Sequence, residues 1–188
     1  AAHNATNAQG DVSVTGSSVT AGGPTSSVKI YAGRNLSLST ALNSISAMPG
    51  AIDIQAGVNG AVAPTVNAYG GNIDLNASTI AGYGGINLIA NNVIGGRGVV
   101  TQTGGSLDAL MAGANITIRS GGNATLTGPI PAGGGIDIQA GMNGVAMPSG
   151  YGGNLSIGGN LTADAGMGVS LLAKGGSVAQ GDLTQTAG

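Results

Sequence analysis

Three aspartates, Asp53, Asp74 and Asp137, each stand between two apolar residues in a short alternating run. In a strand that alternation turns their carboxylates outward. Outward carboxylates on a parallel β-helix can cleave polysaccharides, but only as a close pair or as part of a metal-binding cluster. Asp53 and Asp74 become neighbours if they take equivalent places on successive coils. In a second near-copy of the same stretch Asp137 matches Asp53, whereas Ser156 matches Asp74, so the pair is not kept. The expectation is of solvated strand carboxylates, no catalytic residue and no enzyme.

Other chemistry is equally thin. Calcium-binding repeats need G-G-x-G-x-D at short regular spacing, and "GGNID" and "GYGGIN" only brush against it. His3 has no second histidine and no cysteine to share a metal, so neither a metal site nor a cofactor is expected. No glycine-rich phosphate loop precedes a helix. An ice-binding solenoid carries Thr-x-Thr on every coil. Here "TQT" stands at 101–103 and 184–186, about 83 residues apart, which makes a poor ice template. Asn35, Asn72, Asn115, Asn123, Asn154 and Asn160 recur just before strands, where their side chains can satisfy backbone groups at corners.

One candidate contact patch emerges. After each "DIQAG" the chain leaves the strand pattern, as "VNGAVAPTVNAYGG" 58–71 and "MNGVAMPSGYGG" 142–153. Excursions at one position in successive repeats project from one face, often the binding face. The patch comprises Val62, Pro64, Val66 and Tyr69 with Val145, Met147, Pro148 and Tyr151. The two loops are expected roughly four coils apart, about 19 Å at one strand spacing per coil. Either they meet a partner, such as a neighbouring copy, or they fold back over the wall.

The elements that position these residues are strands. Gly interrupts every stretch of about ten residues, at a cost of roughly 1 kcal/mol each in a helix. Short runs with apolar residues two apart fill the chain: "DVSV" 11–14, "NLSL" 35–38, "IDI" 52–54, "NIDL" 72–75, "NITI" 115–118, "NLSI" 154–157 and "VSLL" 169–172. Gly-Gly, Gly-Asn and Ala-Gly between them mark tight corners. A strand–corner unit of about 20 residues predicts one coil of a parallel β-solenoid, with about nine coils in the chain.

A longer period overlies this one. "AGRNLSLS" 32–39 matches "AGANITIR" 112–119, "IDIQAGVNG" 52–60 matches "IDIQAGMNG" 136–144, and "AYGGNIDL" 68–75 matches "GYGGNLSI" 150–157. "INLIA" 86–90 matches "VSLLA" 169–173, and "TQTGG" 101–105 matches "TQTAG" 184–188. The expected organisation is a single solenoid over 1–188: a partial repeat 1–21, then super-repeats 22–105 and 106–188 of about four coils each. Each coil of such an array buries its apolar face only against the next.

Composition excludes several classes. Charged residues are 6% and the net charge is −2, so nothing draws the chain to nucleic acid. The five basic residues are scattered, and Phe and Trp are absent. The apolar runs are too short and too often broken by Gly for a membrane-spanning helix, and no membrane insertion is expected. At 41% hydrophobic residues, the chain is also too apolar to be disordered.

The "GGN-I-x-L", "AGxNITI" and "GxVxQTGGSL" phrases resemble the repeats of filamentous haemagglutinin-like exoproteins, bacterial adhesins exported by two-partner secretion. The resemblance covers nearly the whole chain and rests on repeat style. It implies a right-handed parallel β-helix, all-β, at the bacterial cell surface or outside the cell. The implied role is structural or adhesive: a rod segment of a large adhesin, or a self-stacking fibre subunit. Partners would be other copies of the chain, end to end or laterally, or host and cell-surface glycans or proteins. A carbohydrate-binding or carbohydrate-cleaving β-helix is the alternative.

Overall fold

Apolar side chains two apart, punctuated by glycine, put one wall of each strand inward and turn the chain before a helix can start. In the computed structural model this yields an all-β fold of stacked parallel strands. The structure describes residues 10–16, 18–22, 26–44, 50–59, 65–66, 69–93, 98–143, 147–148, 150–177 and 180–186.

Among the described residues the strands form three parallel sheets. The first holds seven strands: Val12–Thr15, Leu36–Ser39, Ile73–Asn76, Val100–Thr103, Ala124–Leu126, Leu155–Ile157 and Leu183–Gln185. The second holds six: Val19–Ala21, Leu42–Ser44, Thr79–Gly82, Ser106–Ala109, Ile130–Ala132 and Leu161–Ala163. The third also holds six: Val28–Ala32, Ile52–Ala56, Ile86–Ala90, Ile116–Ser120, Ile136–Ala140 and Val169–Ala173. The chain visits first, second and third sheet in turn, and each visit pairs with the previous one, which is the winding of a β-solenoid.

Coils are longer and fewer than the sequence pattern suggests. The advance from one coil to the next runs from 20 residues, Ile116 to Ile136, up to 38, Leu42 to Ile80, and most coils take 23 to 34. A coil crosses three sheets, not two, so the 20-residue unit undercounts it. Among the described residues the longest sheet holds seven passes, against the nine coils expected of the chain. The super-repeat spans three coils: Ile52 pairs with Ile86, Ile86 with Ile116, and Ile116 with Ile136. Three strand spacings put the two "DIQAG" excursions about 14 Å apart, not 19. One sequence match also dissolves. Leu36 lies in the first sheet and Ile116 in the third, so "NLSL" and "NITI" are not structural counterparts.

The core lies between the sheets as files of like side chains. Val28, Ile52, Ile86, Ile116, Ile136 and Val169 form one file, and Ile30, Ile54, Leu88, Ile118, Ile138 and Leu171 another. A third is small throughout: Ala32, Ala56, Ala90, Ser120, Ala140 and Ala173. Ser120 fits that file because its buried hydroxyl donates to backbone carbonyls, Gly98 at 2.6 Å among them.

Asparagines hold the corner into the first sheet, as their placement before strands predicts. The Oδ1 atoms of Asn35, Asn72 and Asn123 accept from the backbone N–H groups of Asn72, Val99 and Asn154 on the next coil, at 3.3, 3.1 and 2.9 Å. Asp11 begins the ladder by accepting from Asn35 N–H, and Asn154 continues it to Asp182. Asn115 does similar work before the third sheet, accepting from Gly135 N–H at 2.7 Å.

Candidate functional site

The third sheet carries a paired polar cluster on its outer face. Asp53 points outward, as its alternation predicts, but it is tied down and not simply solvated. Its Oδ2 accepts from the Tyr31 hydroxyl at 2.5 Å, and its Oδ1 accepts from the Asn87 amide at 2.7 Å and the Gln55 amide at 3.0 Å. Three coils on, Asp137 occupies the same place. There Arg119 donates from both guanidinium NH groups, to the carboxylate and to the Asp137 carbonyl, and Gln139 supplies its amide. Tyr31 and Arg119 are counterparts in one outward file. One site closes its carboxylate with a phenol, the other with a guanidinium.

Both outward residues are nonetheless buried, Tyr31 at 3% and Arg119 at 5% exposure. The strands that hold them are the ones the excursions lie against: Val58–Asn59 on Val28–Ala32, and Met142–Asn143 on Ile116–Ser120. Each excursion is an antiparallel hairpin, Val58–Asn59 with Thr65–Val66 and Met142–Asn143 with Met147–Pro148. The Tyr151 hydroxyl donates to the Val93 carbonyl at 2.9 Å, two coils back, and holds the second loop to the wall. Of the expected contact patch, Val66 is 47% exposed and Tyr69 is half-buried. Val62, Pro64 and Val145 lie outside the described residues, and for Met147 and Pro148 the backbone alone is described.

Two predictions arise from this cluster. Asp137→Ala leaves a nearly buried guanidinium without its carboxylate. The carboxylate is itself 36% exposed, so solvent offsets part of the loss. A destabilisation of about 1–2 kcal/mol is expected by urea unfolding, with Asp137→Asn milder. Tyr31 gives a pH signature. Burial first, then the hydrogen bond to Asp53 and its charge, raise the phenol above its ordinary value. The unfolded phenol ionises near pH ~10 while the folded one keeps its proton. Its contribution to stability is therefore complete below that pH and lost as pH rises beyond it. Tyr31→Phe should flatten the fall in urea midpoint above pH ~10 relative to the parent.

Asp53 and Asp74 do not assemble into a catalytic pair. Asp53 lies on the third sheet and Asp74 on the first, so they are not neighbours on successive coils. Asp108 and Asp164 border one shallow groove with Leu110, Pro131 and Thr162 on the second sheet. Asp108 is level with Pro131, and Pro131 pairs with Thr162, so the two acids are two coils apart with a further step along the strand. That is roughly 10 Å or more by backbone spacing. A glycosidase acid and its water-activating partner sit at about 6.5–9.5 Å. A second groove follows the corner into the third sheet and is lined by Asn115, Thr117, Asp137 and Ser170.

The outer face of the first sheet carries an array that local motif reading misses. Strand register aligns Ser13, Ser37, Asp74, Thr101, Thr125, Ser156 and Thr184 in one file. Two residues on, Thr15 pairs with Ser39 and Asn76 with Thr103, and Thr127, Gly158 and Thr186 follow directly after the last three strands, which gives a second file. Hydroxyls thus recur on every strand of the sheet but Asp74–Asn76, and not only on the two "TQT" strands. Thr101 and Thr103 face out, while Gln102 points inward and is fully buried. In the second file Thr103 donates to Asn76 Oδ1 at 3.1 Å, and Thr127 to the Gln102 carbonyl at 2.8 Å.

No protein-family model matches the chain, and no curated protein or solved structure matches it.

Proposed function

We propose that the chain is a structural and adhesive segment of a secreted bacterial surface protein. It would act as a rod segment of a larger adhesin or as a subunit stacked end to end in an extracellular fibre. The observation that carries this reading is the unbroken parallel register through all three sheets over one continuous core. Such a body holds side chains at fixed intervals. The resemblance of its repeats to filamentous haemagglutinin-like exoproteins supports secretion and adhesion. A right-handed winding follows from the same resemblance and from the strong bias of parallel crossovers. On the last described coil, Val169 and Leu183 stand in inward files yet are 45% and 46% exposed. A following coil, from the same chain or another copy, would bury them, and an open parallel edge invites that pairing.

Sedimentation velocity at micromolar concentration, with negative-stain microscopy of the heavy fraction, tests the reading. Unbranched fibres of constant width identify a stacking subunit, and elongated monomers identify a rod segment. Irregular aggregates or isometric monomers would sink both. Beads coated with the chain should be retained on host-cell or glycan-coated surfaces above bare beads. Equal retention removes the adhesive half of the proposal. The carbohydrate-cleaving alternative has the Asp108–Asp164 groove in its favour, and release of reducing ends that Asp108→Asn abolishes would establish it.

A further inference from the structure

We infer that the outer face of the first sheet is an ice-binding surface, a function separate from the rod or fibre role. Hydroxyls occupy six of the seven places in the first file, as the strand registers set them, and five of the seven places two residues on. Along each file the step is one strand spacing, about 4.8 Å, and between files it is two residues of strand, about 6.7 Å. The result is a rectangular mesh of hydroxyls over seven strands, about 29 Å long. Both spacings lie close to oxygen repeats on the faces of an ice crystal.

The state of the hydroxyls supports water as the occupant. The side-chain hydroxyls of Ser13, Ser37, Thr101, Thr125, Ser156 and Thr184 make no hydrogen bond among the described residues, so each is open to a bound water. Each offers one donor and two acceptor sites. Each is fixed by the strand that carries it, so the array loses little freedom when water orders on it. The second file is tied along the axis by the Thr103 and Thr127 bonds, which stiffens the mesh.

Other occupants fit less well. The face carries one charge, Asp74, so it offers an ionic partner little. No aromatic ring is present to stack on a sugar: Phe and Trp are absent, and Tyr31, Tyr69, Tyr83 and Tyr151 all lie off this sheet. The inward residues of its strands leave no apolar anchor outside for a protein. Asp74 and Asn76 interrupt the mesh at the third strand, and Gly158 at the sixth.

The purified chain should show thermal hysteresis and faceted ice in a nanolitre osmometer, and should partition into a growing ice front. Thr125→Tyr, on the fifth of the seven strands and in the longest unbroken run of hydroxyls in the first file, should reduce hysteresis to the level of buffer. Thr162→Tyr, exposed on the second sheet, should leave it unchanged. Asp74→Thr, which repairs the file, should raise it. Matching melting curves for all four proteins exclude loss of fold as the cause. Unshaped round crystals from the parent at its highest soluble concentration would overturn the inference, as would a Thr125→Tyr protein as active as the parent. Retention on crystalline chitin that Thr125→Tyr abolishes, without hysteresis, would reassign the face to a glycan lattice.

Discussion

Gly71→Ala should unfold the corner between the third and first sheets and cost more than about 3 kcal/mol, measured as a drop in urea midpoint. A Cβ at Gly71 would lie 1.6 Å from the Arg34 carbonyl oxygen and 2.6 Å from the Gly57 backbone nitrogen. No rotamer change relieves that, because both neighbours are backbone. The counterpart three coils on, Gly153, is equally closed: its Cβ would stand 1.9 Å from the Gly122 carbonyl oxygen. Gly153→Ala should behave alike. Gly168→Ala is the control, because nothing lies within 4 Å of its Cβ position. It should change stability by less than about 0.5 kcal/mol. Equal effects at all three positions would mean that the corner gives way and that chain stiffness, not close approach, sets the cost. The second glycine of each "YGGN" thus serves to let three stretches of backbone meet where the excursion rejoins the solenoid.

Gln102→Leu is expected to stabilise the protein by about 1–3 kcal/mol. Gln102 is fully buried, and neither its Oε1 nor its Nε2 has a hydrogen-bond partner. Its register neighbours are Leu75 and Leu126, so leucine would complete an apolar file. A buried amide without a partner carries its full desolvation penalty, and leucine of similar length removes it. The urea midpoint should rise with an unchanged m-value. A fall would show that a buried water or a rearranged corner satisfies the amide, and that the glutamine is an internal polar fixture. Gln185 pairs with Ile157 in the same file three coils on, so such a polar layer would recur with the super-repeat.

Much of this molecule was decided locally. Alternation such as Ile52-Asp53-Ile54 dictates which side of a strand faces the core, because side-chain direction has a period of two whatever the neighbours are. Glycine and asparagine mark the corners for the same local reason. The ladder through Asn35, Asn72, Asn123 and Asn154 could therefore be anticipated from position alone. The repeat of "DIQAG" likewise announced two equivalent excursions. Strand pairing was not legible, because it joins residues 20 to 38 apart and the spacing varies with each corner. "NLSL" and "NITI" read alike but enter different sheets, since every corner asks for the same residues. Only the tertiary register could show that three coils make the super-repeat, or that Asp53 and Asp74 never meet. It also showed that Tyr31 and Arg119, outward by alternation, are covered by the returning hairpins. The hydroxyl mesh is the clearest case. Ser-x-Thr, Ser-x-Ser and Thr-x-Thr look unrelated along the chain, and stacking at one strand spacing turns them into a single surface.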